Sequence, residues 1–253
     1  MNNPKISIHD YCLHYSDGVE ALKNIELNIY PHAINVLFGP AGGGKSSLLR
    51  SMNRLIDMAD VAETSGEILF NGKNILDEDT DVPWLRRKIG MVFSRPIPLP
   101  KSIFDNVAFG LEVAGEKDKD IIREKVEYAL KQAYLWEEVY DRLNDPGISI
   151  SGGQQQRLCL ARILAFEPEI IMLDEPTSAL DPVTTARIES FLQEIKERIT
   201  IIIAPHNMSQ SARVADYASF FLQGELIESA EGSKLFINPK DKRTQDYVEG
   251  RFG

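Results

Sequence analysis

The stretch FGPAGGGKSSLLR, residues 38–50, decides the fold that this chain adopts. Within it, residues 39–46 match the spacing G-x-x-x-x-G-K-(S/T), a glycine-rich loop that joins a strand to a helix. The apolar run INVLF (34–38) precedes the loop, and the helix-favouring run SSLLRSMNRL (46–55) follows it. Glycines let successive backbone N–H groups close around phosphate oxygens, and the helix start adds partial positive charge. We therefore predict a phosphate-binding loop; a plain glycine-rich turn before a helix is the alternative.

A second stretch, EIIMLDEPTSALDP (169–182), favours the phosphate-binding interpretation. A buried strand that ends in Asp174 would place a carboxylate beside the loop, where it can hold Mg²⁺ through water. Glu175 can then orient an attacking water molecule and accept its proton. In the loop itself, Lys45 would reach the β- and γ-phosphates, and the Ser46 hydroxyl would coordinate Mg²⁺. Together the two stretches predict a site that hydrolyses a nucleotide.

A third stretch, ISISGGQQQRLCLARIL (148–164), predicts a helix with an unusual N-terminus. Ser151 can cap the helix, and Gly152 and Gly153 leave its first backbone N–H groups open. This is a second helix start suited to an anion. A single nucleotide bound at the first loop does not obviously need it.

The distribution of apolar residues predicts an α/β fold. Strand-like runs lie at residues 5–8, 25–29, 34–38, 67–70, 89–93, 169–173, 200–204 and 218–222. Those at 34–38, 169–173 and 200–204 are almost wholly apolar, as expected of strands buried on both faces of a parallel sheet. The N-terminal strands, with the turns YSDGVE and NGKN, favour an antiparallel side sheet.

Residues from about 98 to 158 follow a different, helical pattern. The stretch 118–143 is rich in charge and contains no glycine or proline. Apolar residues near helical spacing in this stretch are Ile121, Val126, Ala129, Leu130, Ala133 and Leu135. We therefore predict a helical lobe inserted into the sheet domain.

The composition argues against several classes of protein. The 253 residues carry a net charge of -10 at pH 7, which disfavours sequence-independent attraction to nucleic acid or anionic lipid. Aliphatic runs such as IIIA (201–204) are far shorter than the ~18–20 residues that cross a bilayer, and the polar start lacks a signal-peptide pattern. We expect a chain that neither spans a membrane nor is exported. Because Cys12 and Cys159 fit no metal or redox spacing, we expect buried, reduced thiols.

In their order along the chain, these motifs resemble those of the ATP-binding cassette (ABC) family. GPAGGGKSS (39–47) resembles the Walker A motif, IIMLDE (170–175) the Walker B motif, SGGQQQR (151–157) the signature motif and SALD (178–181) the D-loop. His206, in APHN, resembles the switch histidine. The resemblance covers essentially the whole chain. It implies a P-loop NTPase (RecA-like) core sheet with an antiparallel side sheet and an inserted α-helical lobe, and binding of ATP with Mg²⁺.

The resemblance also implies a role for each site residue. Two copies would face each other head to tail, with a nucleotide between the Walker A loop of one and the signature motif of the other. The implied nucleotide contacts are Tyr15, Gly39, Pro40, Ala41, Gly42, Gly43, Gly44, Lys45, Ser46, Ser47, Ser151, Gly152, Gly153, Gln154 and Asp181. The implied catalytic residues are Glu175, His206 and Lys45, and the implied Mg²⁺ contacts are Ser46, Asp174 and Ser94. Tyr15 would stack on adenine, with an ordinary edge-strand tyrosine as the alternative, and Asp181 would connect the two sites.

The implied organisation is a single nucleotide-binding domain over residues 1–253. Its ATP-binding core, with the side sheet, would comprise residues 1–97 and 159–253. A helical subdomain at 98–158 would carry the start of the signature motif.

Two stretches narrow the resemblance to the ATP-binding subunits of bacterial phosphate importers: GMVFSRPIPLPKSIFDNVAFGL (90–111) and the ending TQDYVEGRFG (244–253). This implies a homodimer at the cytoplasmic face of the cell membrane, bound to integral permease subunits, served indirectly by a solute-binding protein and without a nucleic-acid partner. Three residues depart from the family pattern: Ser94 replaces a glutamine, Pro205 replaces a threonine and, as a mild change, Ser47 replaces a threonine. The shorter Ser94 could reach Mg²⁺ only through a bridging water. An importer of another anion or small solute, a weakly active or regulatory ABC ATPase, and a soluble ABC ATPase outside transport remain alternatives.

Overall fold

The computed structural model describes residues 3–178 and 180–251. The D-loop residue 179 and the final residues 252–253 of the C-terminal ending lie outside the described residues. The described strands are β1 (Ile6–Tyr15), β2 (Glu20–Ile29), β3 (Ile34–Phe38), β4 (Val61–Phe70), β5 (Lys73–Asn74), β6 (Ile89–Val92), β7 (Ile170–Asp174), β8 (Thr200–Ala204), β9 (Tyr217–Leu222) and β10 (Glu225–Glu231). The helices are α1 (Lys45–Ser51), α2 (Val82–Lys88), α3 (Ile103–Val113), α4 (Lys119–Gln132), α5 (Trp136–Val139), α6 (Gly152–Leu164), α7 (Pro182–Ile195), α8 (Met208–Val214), α9 (Gly232–Ile237) and α10 (Lys242–Val248). Short 3₁₀ helices occupy Leu55–Met58 and Gly147–Ser149.

An antiparallel sheet with the order β2-β1-β4-β5 forms one side of the molecule, which confirms the predicted side sheet. Its strands are longer than the predicted apolar runs, because β1 continues to pair with β4 as far as Tyr15. The pairing passes an irregularity at Asp10, whose φ is +47°. Because the solvated face of such a strand is polar, its apolar residues alternate with polar ones and form no long apolar run.

The second sheet has the order β10-β9-β3-β8-β7-β6 and is parallel except for the edge strand β10. Strands β3, β7 and β8 consist entirely of buried residues, as their apolar runs predict. Strand β10 was not predicted because its residues, ELIESAE, are mostly polar and partly exposed at the sheet edge. The carboxyl ends of parallel strands share one edge of a sheet, so the loops after β3, β7 and β8 meet there.

The inserted segment is helical, as predicted, and packs on one face of this sheet. Buried side chains of α3, α4 and α6 join those of β3, β7 and β8 in one hydrophobic cluster. In α4, Ile122 is 5% exposed and Ile121 is 40% exposed, so Ile122, and not the Ile121 named from helical spacing, lies on the buried face. Ile122 lies four residues before Val126 and therefore shares its buried helix face. None of the described helices is long and apolar enough to span a membrane.

The two cysteines are both free thiols, but only Cys159 is buried. Cys12 is half-buried because it alternates with Tyr11 and Leu13, whose side chains point from β1 into the core. The prediction of burial was therefore wrong for Cys12.

Candidate functional site

The glycine-rich loop connects the end of β3 to the start of α1. Gly39 has a φ of +137°, and a Cβ at this position would lie 2.0 Å from the carbonyl oxygen of Phe221. Glycine is therefore required at Gly39 both by the backbone conformation and by the close approach of β9. At Gly42, where φ is +73°, a Cβ would meet nothing within 4 Å. This part of the loop presents bare backbone to open space, as a phosphate cradle requires.

Lys45, the first residue of α1, folds back across the loop. Its Nζ donates hydrogen bonds to the carbonyl oxygens of Gly39 (2.9 Å) and Pro40 (2.8 Å). Burial lowers the pKa of Lys45, and the charges of Glu175 and Asp174 oppose that shift. The ammonium therefore lies inside the loop, in the field of the two carboxylates that follow β7.

The Ser46 hydroxyl and the buried Asp174 carboxylate come together at the loop. Ser46 Oγ donates to Asp174 Oδ1 over 3.1 Å. Burial raises the pKa of Asp174, and the hydrogen bond from Ser46 partly offsets this. Across residues 3–178 and 180–251, no group of three or more His, Cys, Asp and Glu side chains could hold a metal ion. Two oxygen donors beside a phosphate loop suit Mg²⁺, which takes one or two protein ligands and completes its shell with phosphates and water.

Glu175 and His206 lie at the ends of the neighbouring strands β7 and β8. The Glu175 backbone N–H donates to the Ala204 carbonyl oxygen over 2.8 Å. His206 Nδ1 lies 3.4 Å from Glu175 Oε2, and the two side chains are 62% and 41% exposed. A carboxylate and an imidazole, both open to solvent, can together face a phosphate and a water molecule.

The second predicted helix start is formed by α6. Ser151 is its N-cap, and its Oγ accepts a hydrogen bond from the Gln154 backbone N–H. Gln154 Oε1 in turn accepts from the Ser151 backbone N–H over 2.9 Å, which completes a capping box. A Cβ at Gly152 would meet nothing within 4 Å, so the helix start is open to an incoming group.

An ion pair holds this helix start against α5. Arg157 donates to the Glu138 carboxylate over 2.7 and 3.0 Å, and Gln154 Nε2 donates to the same group over 2.9 Å. The hydrogen bonds from Arg157 are the largest cause of a lowered pKa at Glu138. The side-chain amide of Gln154 is therefore committed to Ser151 and Glu138.

The family model for ABC transporters matches residues 22–178, which include the glycine-rich loop, the α6 start and the Asp174–Glu175 pair. The chain belongs to the ABC transporter family. The predicted family is thereby confirmed.

Two curated relatives of this ABC chain carry the name phosphate import ATP-binding protein PstB 2. The protein from Ligilactobacillus salivarius is 51% identical over 248 residues, which cover 98% of each chain. The protein from Bacillus licheniformis is 52% identical over 239 residues, which cover 94% of this chain and 87% of that protein.

Solved ABC structures confirm the predicted fold class. CbiO1 from Clostridium perfringens, part of the ABC transporter complex CbiONQ, has a TM-score of 0.80 and 31% identity, with 99% of this chain and 97% of that one covered. A dimeric ATP-binding cassette in a post-hydrolysis state with ADP and Pi has a TM-score of 0.79 and 30% identity, with 89% and 98% covered.

Tyr15 and Asp181 are two further predicted site residues, and each has local contacts of its own. Tyr15, at the end of β1, places its hydroxyl 2.9 Å from Ser47 Oγ and so lies beside the Walker A helix. Asp181 caps α7 by accepting from the backbone N–H groups of Val183 (2.9 Å) and Thr184 (3.0 Å). Their predicted roles toward adenine and between sites remain predictions.

Two of the departures from the family pattern, Ser94 and Pro205, flank the Walker B strand. Ser94 is exposed in a bend just after β6, the strand that pairs with β7. Pro205 is buried between β8 and His206.

Sequence reasoning missed a polar cluster next to Glu175 and His206. Thr177, Glu189, Gln210 and Arg213 form a connected set of hydrogen bonds across three elements. The available signal in the sequence was weak: Gln210 lies only four residues after His206, which places it near the same site without indicating its partner.

Proposed function

We propose that this chain is the ATP-hydrolysing subunit of an ABC importer for inorganic phosphate. The observation that carries the choice of solute is its near-full-length identity to proteins named as phosphate import ATP-binding proteins. The geometry that supports hydrolysis is the contact between the Walker A serine and the Walker B aspartate, with a glutamate and a histidine beside them.

Within one subunit, the Walker A loop would hold the phosphates of ATP. Backbone N–H groups of residues 41–47 would surround the β- and γ-phosphates, with the Lys45 ammonium exchanging its carbonyl partners for phosphate oxygens. Ser46 and Asp174 would hold Mg²⁺, which when bound neutralises charge on the phosphate oxygens. Tyr15 would stack on the adenine ring from its position beside the loop.

Glu175 would orient the attacking water and accept its proton, and His206 would contact the γ-phosphate. Both side chains are partly exposed in one subunit, so the attacking water can exchange with bulk water. Covering them would exclude bulk water and strengthen each charge interaction in the site.

A second copy, packed head to tail, would supply that cover. Ser151, Gly152 and Gly153 of one copy would close on the γ-phosphate bound by the other, with Asp181 between the two sites. Because the Gln154 amide is occupied by Ser151 and Glu138, we propose that Gln154 acts by holding the helix start.

ATP binding would close this dimer, and hydrolysis with product release would reopen it. Integral permease subunits would convert the cycle into alternating access, with the solute delivered by a solute-binding protein. The chain would lie on the cytoplasmic face of the membrane as a peripheral subunit. We retain the division into a core (1–97 and 159–253) and a helical subdomain (98–158), although α6 runs through the boundary at 158.

Reconstitution of the captured complex tests this function. The tagged chain is purified from detergent-solubilised membranes, and the complex is placed in vesicles with ATP and labelled phosphate. We expect ATP-dependent phosphate uptake that labelled sulfate does not reproduce. Uptake of sulfate alone would contradict the solute, and copurification with ribosomes would support a soluble ABC ATPase instead. ATP binding by the purified chain, together with no turnover in a steady-state ATPase assay, would support a regulatory subunit.

A further inference from the structure

Thr177 and Gln210 form a buried pair that the family motifs do not explain. Both side chains are buried, and Gln210 is only 1% exposed. Thr177 Oγ1 lies 3.1 Å from Gln210 Oε1 and 3.0 Å from Gln210 Nε2, so the hydroxyl can donate to one atom and accept from the other.

Glu189 fixes the orientation of the Gln210 amide. A carboxylate only accepts hydrogen bonds, so the Gln210 atom 3.0 Å from Glu189 Oε1 must be the donor Nε2. Oε1 is thereby left for the Thr177 hydroxyl. Arg213 donates two hydrogen bonds to the Glu189 carboxylate, over 2.7 and 3.1 Å, and so compensates its charge.

The pair joins the two segments that carry Glu175 and His206. Thr177 lies two residues after Glu175, in the turn that follows β7. Gln210 belongs to α8, which begins just after His206, and its backbone N–H donates to the N-cap Asn207 over 2.8 Å. A movement of either segment would therefore break the buried hydrogen bonds.

The contact between the side chains of Glu175 and His206 is too weak to fix their relative position. It spans 3.4 Å between two exposed side chains, and such pairs contribute little stability in water. Glu175 also has a φ of +47°, a conformation that non-glycine residues adopt only when their surroundings enforce it. The buried pair supplies such an enforcing contact.

We propose that Thr177 and Gln210 are positioning residues for ATP hydrolysis, because their buried hydrogen bonds hold Glu175 and His206 in register at one phosphate. This inference rests on the proposed hydrolytic function. Since neither residue belongs to the Walker A loop, the pair affects the chemical step and not ATP affinity.

A set of hydroxyl substitutions tests the proposal on the full chain. Thr177→Val removes the hydroxyl and keeps the shape, whereas Thr177→Ser keeps the hydroxyl. Ser219→Ala is the matched control, because it removes a hydroxyl that pairs with Ser229 over 2.9 Å between β9 and β10. With each variant assayed well below its Tm, we expect Thr177→Val to lower kcat roughly ten- to a hundred-fold with an unchanged KM for ATP. Thr177→Ser and Ser219→Ala retain the wild-type kcat.

A double-mutant cycle separates positioning from a general loss of structure. In a His206→Ala background, Thr177→Val should cause a smaller further loss of kcat than it does in wild type, because one of the two residues whose relative position the pair fixes is gone. If Thr177→Val fails to fold, Gln210→Met removes the same hydrogen bonds from the other side. Wild-type kcat in both variants, or the same fold-loss in both backgrounds, overturns the inference. Wild-type protein without any ATPase activity would instead overturn the proposed function and this inference with it.

Discussion

The Ser46 hydroxyl donates a 3.1 Å hydrogen bond to the Asp174 carboxylate and so joins two positions that are 128 residues apart in the chain. The contact connects the first turn of the Walker A helix to the last residue of the Walker B strand. The phosphate loop and the carboxylate expected to hold Mg²⁺ therefore form one unit within a single chain. We expect substitutions around this unit to change ATP binding, hydrolysis or dimer closure without changing the other two.

Glu175→Gln should abolish hydrolysis and leave ATP-driven dimerisation intact. The amide cannot accept the proton of the attacking water, and general-base catalysis typically contributes about 10²–10⁴-fold. Phosphate release and sedimentation with ATP and Mg²⁺ measure the two properties. Glu194→Gln, an exposed change on α7, is the control and should behave as wild type. Rapid turnover by Glu175→Gln would refute the general-base role.

Asp174→Asn should raise the Tm of the nucleotide-free protein while it removes Mg²⁺-dependent hydrolysis. Burial raises the pKa of Asp174, which means that folding favours the protonated form and that the ionised carboxylate destabilises the fold at pH 7. A gain of even about 1 kcal/mol would raise Tm by roughly 2–4 °C in a chain of this size. Thermal unfolding of both proteins at pH 7 checks this. A lower Tm for Asp174→Asn would contradict the destabilising role of the buried charge.

Ser94→Gln should increase the ATPase rate and change its Mg²⁺ dependence without altering ATP binding. The longer amide can reach toward the Walker B carboxylate from the end of the neighbouring strand, whereas serine needs a bridging water. Steady-state hydrolysis over a Mg²⁺ titration, with ATP affinity measured separately, provides the comparison. An ATPase rate and a Mg²⁺ dependence that both equal those of wild type would contradict the hypothesis that Ser94 weakens the site.

Glu138→Gln should make the protein less sensitive to acid. Arg157 holds the pKa of Glu138 below its ordinary value, so this carboxylate stabilises the fold above the pKa of the unfolded chain, about 4.3. That contribution is lost as the pH falls through the lower, folded-state pKa. Tm measured from pH 7 to acid should therefore fall further for wild type than for Glu138→Gln. The neighbouring Glu137→Gln is the control, and equal acid sensitivity of Glu138→Gln and wild type would count against the ion pair.

Backbone requirements made much of the site predictable from sequence. Gly39 cannot carry a Cβ so close to Phe221, and strands buried on both faces have to be almost wholly apolar. Local capping chemistry likewise predicted that Ser151 begins a helix. These features depend on residues that are close together in the chain, so a single sequence reports them.

Side-chain partners across elements could not be predicted in the same way. The rotation of α4 decided whether Ile121 or Ile122 is buried, and helical periodicity alone does not fix it to one residue. The pairing of Thr177 with Gln210 depends on how a turn and a helix dock after two different strands. Such contacts follow from tertiary packing, which overrides local pattern.

Disulfide crosslinking between two copies tests most directly whether ATP is enclosed by the Walker A loop of one and the signature helix of the other. In a Glu175→Gln background without Cys12 and Cys159, copies carrying Ala41→Cys are mixed with copies carrying Gly152→Cys, both exposed positions. We predict a covalent dimer with ATP and Mg²⁺ and none without nucleotide. As the control, copies carrying Glu194→Cys replace those carrying Gly152→Cys and should give no covalent product. Absence of a crosslink between Ala41→Cys and Gly152→Cys copies under ATP and Mg²⁺ would contradict the head-to-tail site.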